Sequence, residues 1–169
     1  MLNHRVITLL IVALCAISID AKTCKYTKSD FNTYWIYSNN SILLSFQNTN
    51  IKNNEWTGIG FGDNKNDFSA IIFMVENNQV TVRPGSSTEH GPPTFTSDAS
   101  NALRTSSLQY FPRDKTMNAV VSIPLNLNGR SLQQCQKWRW IRSGKVSNGN
   151  PTRNDKSPKD KKVCPMECT

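Results

Sequence analysis

The feature that most constrains the fold is a series of short apolar or alternating segments separated by turn residues. Each segment is at most nine residues long, is rich in Ile, Val, Phe, Tyr and Trp, and is bounded by Asn, Asp, Gly or Pro. No sustained helical period occurs before residue 148, so the sequence predicts an all-β sandwich or barrel. The segments span residues 33–37, 42–47, 56–62, 69–75, 79–84, 106–111, 117–125 and 136–144.

One of these segments, EWTGIGFGD at Glu55–Asp63, carries glycine at Gly58, Gly60 and Gly62. Glycine costs backbone entropy in a strand and offers no side chain to pack. Three alternating glycines therefore leave one face of the strand bare. Either another group approaches that face closely, or the stretch is a mobile loop.

The first 21 residues have the layout of a secretory signal peptide. Arg5 precedes an apolar run from Val6 to Ile19, and the small Ala21 stands where cleavage would fall. The run is too short to span a bilayer comfortably, and no other stretch is long and apolar enough. We expect a secreted, extracellular chain of residues 22–169 without a membrane span, with an uncleaved anchor as the alternative.

Four cysteines remain after that cleavage, and an even count in a secreted chain predicts two disulfides. Three pairings are possible. We favour Cys24–Cys135, which joins the start of the domain to its last strands, together with Cys164–Cys168, which closes a small loop. A zinc site at Cys164 and Cys168 is disfavoured because zinc requires four ligands and no second pair is near.

Two further surface features follow from secretion and charge. Asn39 begins the sequon NNS and is the predicted N-glycosylation site. Residues 137–169 carry nine Lys and Arg against three Asp and Glu, so most of the net charge of +8 lies there. Residues 148–162 are almost free of apolar side chains, which predicts a flexible basic tail over 148–169.

The basic residues give a candidate anion-binding surface, for sulfated glycans or anionic lipid headgroups rather than nucleic acid. Its members are Lys137, Arg139, Arg142, Lys145, Lys161 and Lys162. The alternative is a half-buried strand whose tryptophans, Trp138 and Trp140, lie in the core.

The ordered set of motifs resembles a DOMON domain, from about Cys24 to Gly144. WTGIGFGD (56–63), AIIFMV (70–75), TMNAVVSIPL (116–125) and Cys135 with the following KWRWIRSG carry the resemblance. VCPMEC (163–168) resembles the ending of small secreted, stand-alone nematode members. The resemblance implies an immunoglobulin-like antiparallel β-sandwich over residues 22–147.

The resemblance also suggests a use for the glycines. Members that hold a ligand, haem or a sugar, pack it against the inner sheet near this strand. The implied candidate ligand face comprises Trp56, Gly58, Gly60 and Gly62. Alternatively, the glycines admit a tryptophan from the opposite sheet, Trp138 or Trp140.

Haem-binding members of the family use a methionine and a histidine. The methionine lies in the turn after the glycine strand, where this chain has Lys65 and Asn66. The histidine follows the last strand, and none occurs in residues 143–160. His90 is the only histidine left after cleavage, and Met74 lies in an apolar strand where a core role is the default. We therefore expect no haem and no metal, with Met74–His90 ligation as the alternative.

Catalysis is also disfavoured by the residues available. A Ser-His-Asp triad would have to use His90, and the carboxylates lie in turn contexts. The sequence therefore predicts a binding or interaction module without a catalytic site, whose partner is an unidentified small ligand, glycan or extracellular protein. The alternatives are an electron-transfer accessory that carries haem and a binder of anionic glycosaminoglycans through the basic tail.

Overall fold

The computed structural model describes residues 24–38, 40–64, 67–88, 91–96, 103–154 and 157–168. The predicted leader, Asn39, Lys65, Asn66 and His90 lie outside the described residues. The strands are β1 Cys24–Lys28, β2 Phe31–Tyr37, β3 Ser41–Asn48, β4 Glu55–Phe61, β5 Asp67–Glu76, β6 Gln79–Thr88, β7 Thr94–Phe95, β8 Arg104–Phe111, β9 Thr116–Pro124, β10 Asn126–Leu127, β11 Arg130–Ser131, β12 Gln136–Ser147, β13 Asn150–Asn154 and β14 Lys159–Val163. A 3₁₀ turn, Pro165–Cys168, follows the last strand.

The strands form two antiparallel sheets. The first sheet has the order β1-β2-β3-β9-β8, and the second has β13-β12-β4-β5-β6-β7, with β14 also paired to β12. The two strands of the small β10–β11 hairpin pair with each other and belong to neither of these two sheets. The predicted antiparallel β-sandwich is confirmed.

Aromatic side chains fill the space between the two sheets. Tyr26 of the first sheet stacks on Trp140 of the second with ring centroids 3.7 Å apart, and Trp35 lies 5.0 Å from Trp138. Trp138 and Trp140 are fully buried. The interpretation of these tryptophans as core residues of a strand is therefore confirmed.

These tryptophans do not come from the sheet opposite the glycines. Strand β12, which carries them, is hydrogen-bonded to β4 within the same sheet. Both tryptophans point into the main core, whereas Gly58 and Gly60 alternate to the outer face of that sheet. The alternative in which the glycines admit an opposing tryptophan is wrong.

Two disulfides are present, as predicted, but the favoured pairing is wrong. The bonds join Cys24 to Cys168 and Cys135 to Cys164. Strand register gives the reason: Gln136 is paired with Val163, so the neighbouring residues Cys135 and Cys164 meet at the ends of their strands. The 3₁₀ turn then carries Cys168 away to the first sheet, where it also accepts a 3.1 Å hydrogen bond from Trp35 Nε1.

The C-terminal segment, predicted as a basic tail beyond the sandwich, contributes two strands to the second sheet. β13 pairs with the end of β12, and β14 pairs with its beginning. Backbone pairing needs no apolar pattern, so a segment as polar as KDKKV can still form a strand. The sandwich thus extends past residue 147, and Val163 and Pro151 are its buried anchors there.

Candidate ligand cavity at one end of the sandwich

A cavity of about 680 Å³ lies at one end of the second sheet, beside the β10–β11 hairpin. Gly62 and Asp63 follow β4 at this end, Asp67 begins β5, and the hairpin contributes residues 128–131 to the lining. Polar side chains dominate the walls. The lining residues are Gly62, Asp63, Asp67, Ser69, Ser86, Thr96, Asn128, Gly129, Arg130, Ser131, Gln134, Cys135 and Gln136.

Hydrogen bonds hold the cavity walls in place. Asn128 Nδ2 donates to the Gly85 carbonyl at 2.7 Å, while its Oδ1 accepts from Thr96 Oγ1 at 2.8 Å. Ser69 Oγ donates to the Leu127 carbonyl at 3.1 Å, which ties the hairpin to β5. Sequence reasoning missed this hairpin, although Asn128-Gly129 is a strong signal for a two-residue hairpin turn and both residues have positive φ.

An ion pair lies at the mouth of the cavity. Arg130 Nη2 is 3.2 Å from Asp67 Oδ2 and also donates to the Asp67 carbonyl. The guanidinium lies against Gly62, where an added Cβ would be 3.1 Å from Arg130 Cζ. Gly62 also has φ +135°, a conformation that favours glycine. Gly62 is therefore the glycine of the alternating segment that lines the cavity, with the Arg130 guanidinium against it.

The other members of the predicted ligand face are covered. A Cβ on Gly60 would be 2.7 Å from the Phe68 ring, and one on Gly58 would collide with the Ile71 carbonyl oxygen. Trp56 is fully buried, and its Nε1 donates to the Thr152 carbonyl at 2.9 Å. Trp56 belongs to a small second core on the outer face of this sheet, with Ala70, Ile72, Met74 and Ile141.

Three residues of the predicted anion-binding surface have acidic partners. Arg139 is only 3% exposed, and its Nη1 is 2.8 Å from Asp160 Oδ2. Arg139 Nη2 also donates to the Asp63 carbonyl beside the cavity, at 2.9 Å. Arg142 lies 3.6 Å from Asp30 Oδ2.

Lys145 is the third residue of the predicted anion-binding surface that has an acidic partner. Its Nζ is 2.8 Å from Glu55 Oε1, and the Lys52 backbone N–H donates to Glu55 Oε2. Burial acts to raise the pKa of the Glu55 carboxyl, but the hydrogen bonds from Lys145 and Lys52 outweigh it and the pKa is lowered.

The remaining three predicted anion-binding residues lie near the sheet edge, but Lys161 is on the opposite face of the sheet from Lys137 and Lys162. Lys137 and Lys162 are directly opposite each other on β12 and β14, and Lys161 is opposite Trp138. Within the described ranges, none of the three forms an ion pair.

The donor groups around the cavity do not suit haem. Among the described residues that line it there is no methionine or histidine, and those walls are polar. Met74 is 4% exposed within the second core on the outer face. Cys135, Cys164 and Glu167 place ligand atoms within 4.8 Å of one another, but both sulfurs belong to the disulfide. None of the helical structure in the described part of the chain has the length and apolarity to cross a bilayer.

Fold and cavity together define a disulfide-braced antiparallel β-sandwich with a polar cavity at one end. A family model for the DOMON domain matches residues 27–144. The chain therefore belongs to the DOMON domain family.

Curated relatives match along most of the chain. The DOMON domain-containing protein Y73F4A.2 of Caenorhabditis elegans is 67% identical over 150 residues, which cover 88% of this chain and 89% of the relative. The DOMON domain-containing protein CBG21753 of Caenorhabditis briggsae is 61% identical over 164 residues, covering 95% and 98% of the two chains. No solved structure matches the chain significantly.

Proposed function

We propose that this protein is a secreted, stand-alone DOMON module that binds a small hydrophilic ligand in the end cavity, without a catalytic site or haem of its own. The observation that carries this proposal is a cavity of about 680 Å³ whose polar walls are held by hydrogen bonds between the hairpin and the second sheet. That size lies in the range of small-molecule sites. Fixed walls reduce the ordering cost of binding.

The chemistry of the walls favours a small molecule with several hydroxyl or amino groups. Among the described lining residues, Asp67 and Arg130 form an ion pair and Asp63 supplies a second carboxylate. Hydroxyl and carboxamide groups from serine, threonine, asparagine and glutamine supply both donors and acceptors. A porphyrin would require apolar walls and axial ligands, which the described part of this lining does not offer.

The contacts of the cavity carboxylates support a binding role over a catalytic one. Asp67 is held by Arg130, and Asp63 Oδ1 accepts the Lys137 backbone N–H at 3.0 Å. Both carboxylates thus have structural partners that fix the ends of β5 and β12. A structural role therefore accounts for both carboxylates without general acid–base chemistry.

A ligand screen with two neighbouring variants tests the proposal. Mature protein is screened by thermal shift against monosaccharides, polyols, amino acids and biogenic amines, and hits are measured by calorimetry. Gln134→Trp places a large ring in the cavity lining, whereas Gln133→Trp adds the same ring one residue outside it. We expect binding to be lost in Gln134→Trp and kept in Gln133→Trp. Equal affinities in the two variants, or no hit from any class, would contradict the proposal.

An absorption spectrum distinguishes the haem-carrying alternative. Protein purified from a haem-replete host is expected to show no Soret band. A stoichiometric band would establish a haem protein and overturn the proposed absence of the cofactor.

A second candidate function, binding of sulfated glycans, is favoured by the lysines at the β12–β14 edge. Like charges directly opposite each other in a sheet are destabilising, so an anion between Lys137 and Lys162 would relieve their repulsion. Removing the C-terminal segment cannot test this, because it would delete β13 and β14.

Matched charge removal tests it instead. Lys137→Gln/Lys162→Gln should elute from heparin at lower salt than Lys25→Gln/Lys28→Gln, which removes the same charge from β1. Identical elution of the two double variants would show that heparin binding depends only on net charge, and would contradict a specific site at these lysines.

A further inference from the structure

We propose that the exposed face of the first sheet binds a chain of neutral sugar residues. A row of carboxamides crosses this face. Asn32, Gln47, Asn118 and Gln109 stand in register on β2, β3, β9 and β8. Asn32 Nδ2 donates to Gln47 Oε1 at 2.7 Å, and Gln47 Nε2 donates to Asn118 Oδ1 at 3.0 Å.

These bonds orient the amides and leave part of each one available. A carboxamide has two N–H donors and an oxygen that accepts twice, so the internal bonds use only some of this capacity. The row spans three strand spacings, roughly 14 Å. A surface that offers fixed donors and acceptors over this length suits a polymer of hydroxyl-bearing rings more than a single small molecule.

A shallow groove of about 280 Å³ is lined in part by the four carboxamide residues. Tyr34 lies in its lining and is 43% exposed. An exposed aromatic ring next to hydrogen-bonding groups can stack on the apolar C–H face of a sugar ring. The other lining side chains near it are Ser45, Ser107 and Val120.

The face is uncharged in a chain whose net charge is +8. The outward residues of β2, β3 and β9 include no Asp, Glu, Lys or Arg. Charge occurs only at the two edges of the described face, with Lys25 on β1 and Arg104 on β8. A neutral partner loses no charge hydration on this surface, whereas an anionic one would be drawn to the lysines of the other sheet. Charge complementarity thus selects a neutral glycan.

This site is separate from the end cavity, which is formed by the second sheet and the β10–β11 hairpin. Gln134→Trp should therefore leave glycan binding unchanged. The inference can fail while the proposed cavity function stands, and the reverse also holds.

Calorimetry and affinity electrophoresis with cellohexaose, laminarihexaose and chitohexaose test the inference. We expect at least one hexasaccharide to bind, with an affinity that is independent of salt. Tyr34→Ala and Gln47→Ala should each weaken binding about tenfold, equivalent to roughly 1.4 kcal/mol. Gln79→Ala, an exposed glutamine on the second sheet, is the matched control and should bind normally.

Three outcomes would overturn the inference. The first is no binding of any hexasaccharide, and the second is equal affinity in Tyr34→Ala, Gln47→Ala and Gln79→Ala. The third is self-association in sedimentation velocity that Tyr34→Ala abolishes, which would assign the face to a second copy of the chain. Circular dichroism of each variant checks folding, which the exposure of Tyr34 leads us to expect is unchanged.

Discussion

At the scale of single residues, Gly62 differs from the other glycines of its segment. Gly58 and Gly60 lie within β4 and are covered by Ile71 and Phe68, whereas Gly62 follows the strand and borders the cavity. Alternation alone indicated three equivalent positions. The difference depends on where β4 ends and on Arg130, which is distant in sequence, so residue spacing could not reveal it.

Gly62→Ala should lower the free energy of unfolding by about 2 kcal/mol, because φ +135° is strained for a residue with a Cβ. The added methyl would also displace Arg130 from Asp67. Gly149→Ala is the control, since its φ of +71° is left-handed but nothing lies within 4 Å of the new Cβ. Urea unfolding should show a smaller loss for Gly149→Ala; a larger one would refute the assigned role of Gly62.

Glu55 gives a prediction about pH. Its pKa is lowered in the folded protein from an ordinary value of 4.5, so its contribution to stability is present above that value and is lost as pH falls through the folded pKa. Glu55→Gln should therefore be less stable than wild type at neutral pH, and the difference should shrink as pH falls below 4.5. Urea titrations across this range measure it. Glu76→Gln is the control, because Glu76 has no ion pair among the described residues; a Glu55→Gln difference that grows in acid would contradict the prediction.

At the scale of elements, the longer strands were predictable because each combines apolar alternation with turn residues at its ends. Six short or polar strands were not predicted: β1, β7, β10, β11, β13 and β14. Their formation depends on partners rather than on their own residues: β14 is held by pairing with β12 and by the Arg139–Asp160 ion pair.

Asp160→Asn tests the attachment of β14. The substitution removes the charge partner of a guanidinium that is 3% exposed, and an uncompensated buried charge is costly. Because Asp160 itself is 29% exposed, we expect a loss near 2 kcal/mol, below the full range for buried pairs. Asp114→Asn, in an exposed turn, should change stability little. Comparable losses of unfolding free energy for both variants, measured by urea unfolding, would argue against the ion pair as the contact that holds β14.

At the scale of the whole molecule, the two disulfides tie the chain ends to both sheets. The sequence predicted that these four cysteines form two disulfides, but it did not determine the pairing. Cys164–Cys168 was favoured because the two residues are close along the chain, whereas sheet register joins Cys135 to Cys164. The cavity was likewise beyond sequence reasoning, since its walls come from β4, β5, β6 and the missed hairpin.

The disulfides should contribute unequally to stability. Cys24–Cys168 spans 144 residues and Cys135–Cys164 spans 29. By the chain-entropy argument, removing the longer bridge should lower the free energy of unfolding by about 1.4 kcal/mol more than removing the shorter one. Urea unfolding of Cys24→Ala/Cys168→Ala and Cys135→Ala/Cys164→Ala compares them. Non-reducing peptide mapping should recover these two linkages, and a Cys24–Cys135 peptide would contradict the fold at this end.

A crystal structure of residues 22–169 with the best screening ligand tests the central claim most directly. The account predicts ligand density between Gly62, Asn128 and Arg130, under the β10–β11 hairpin. Density for an iron porphyrin, or a ligand seated over Trp56 and Met74 on the outer face with the end cavity empty, would contradict it.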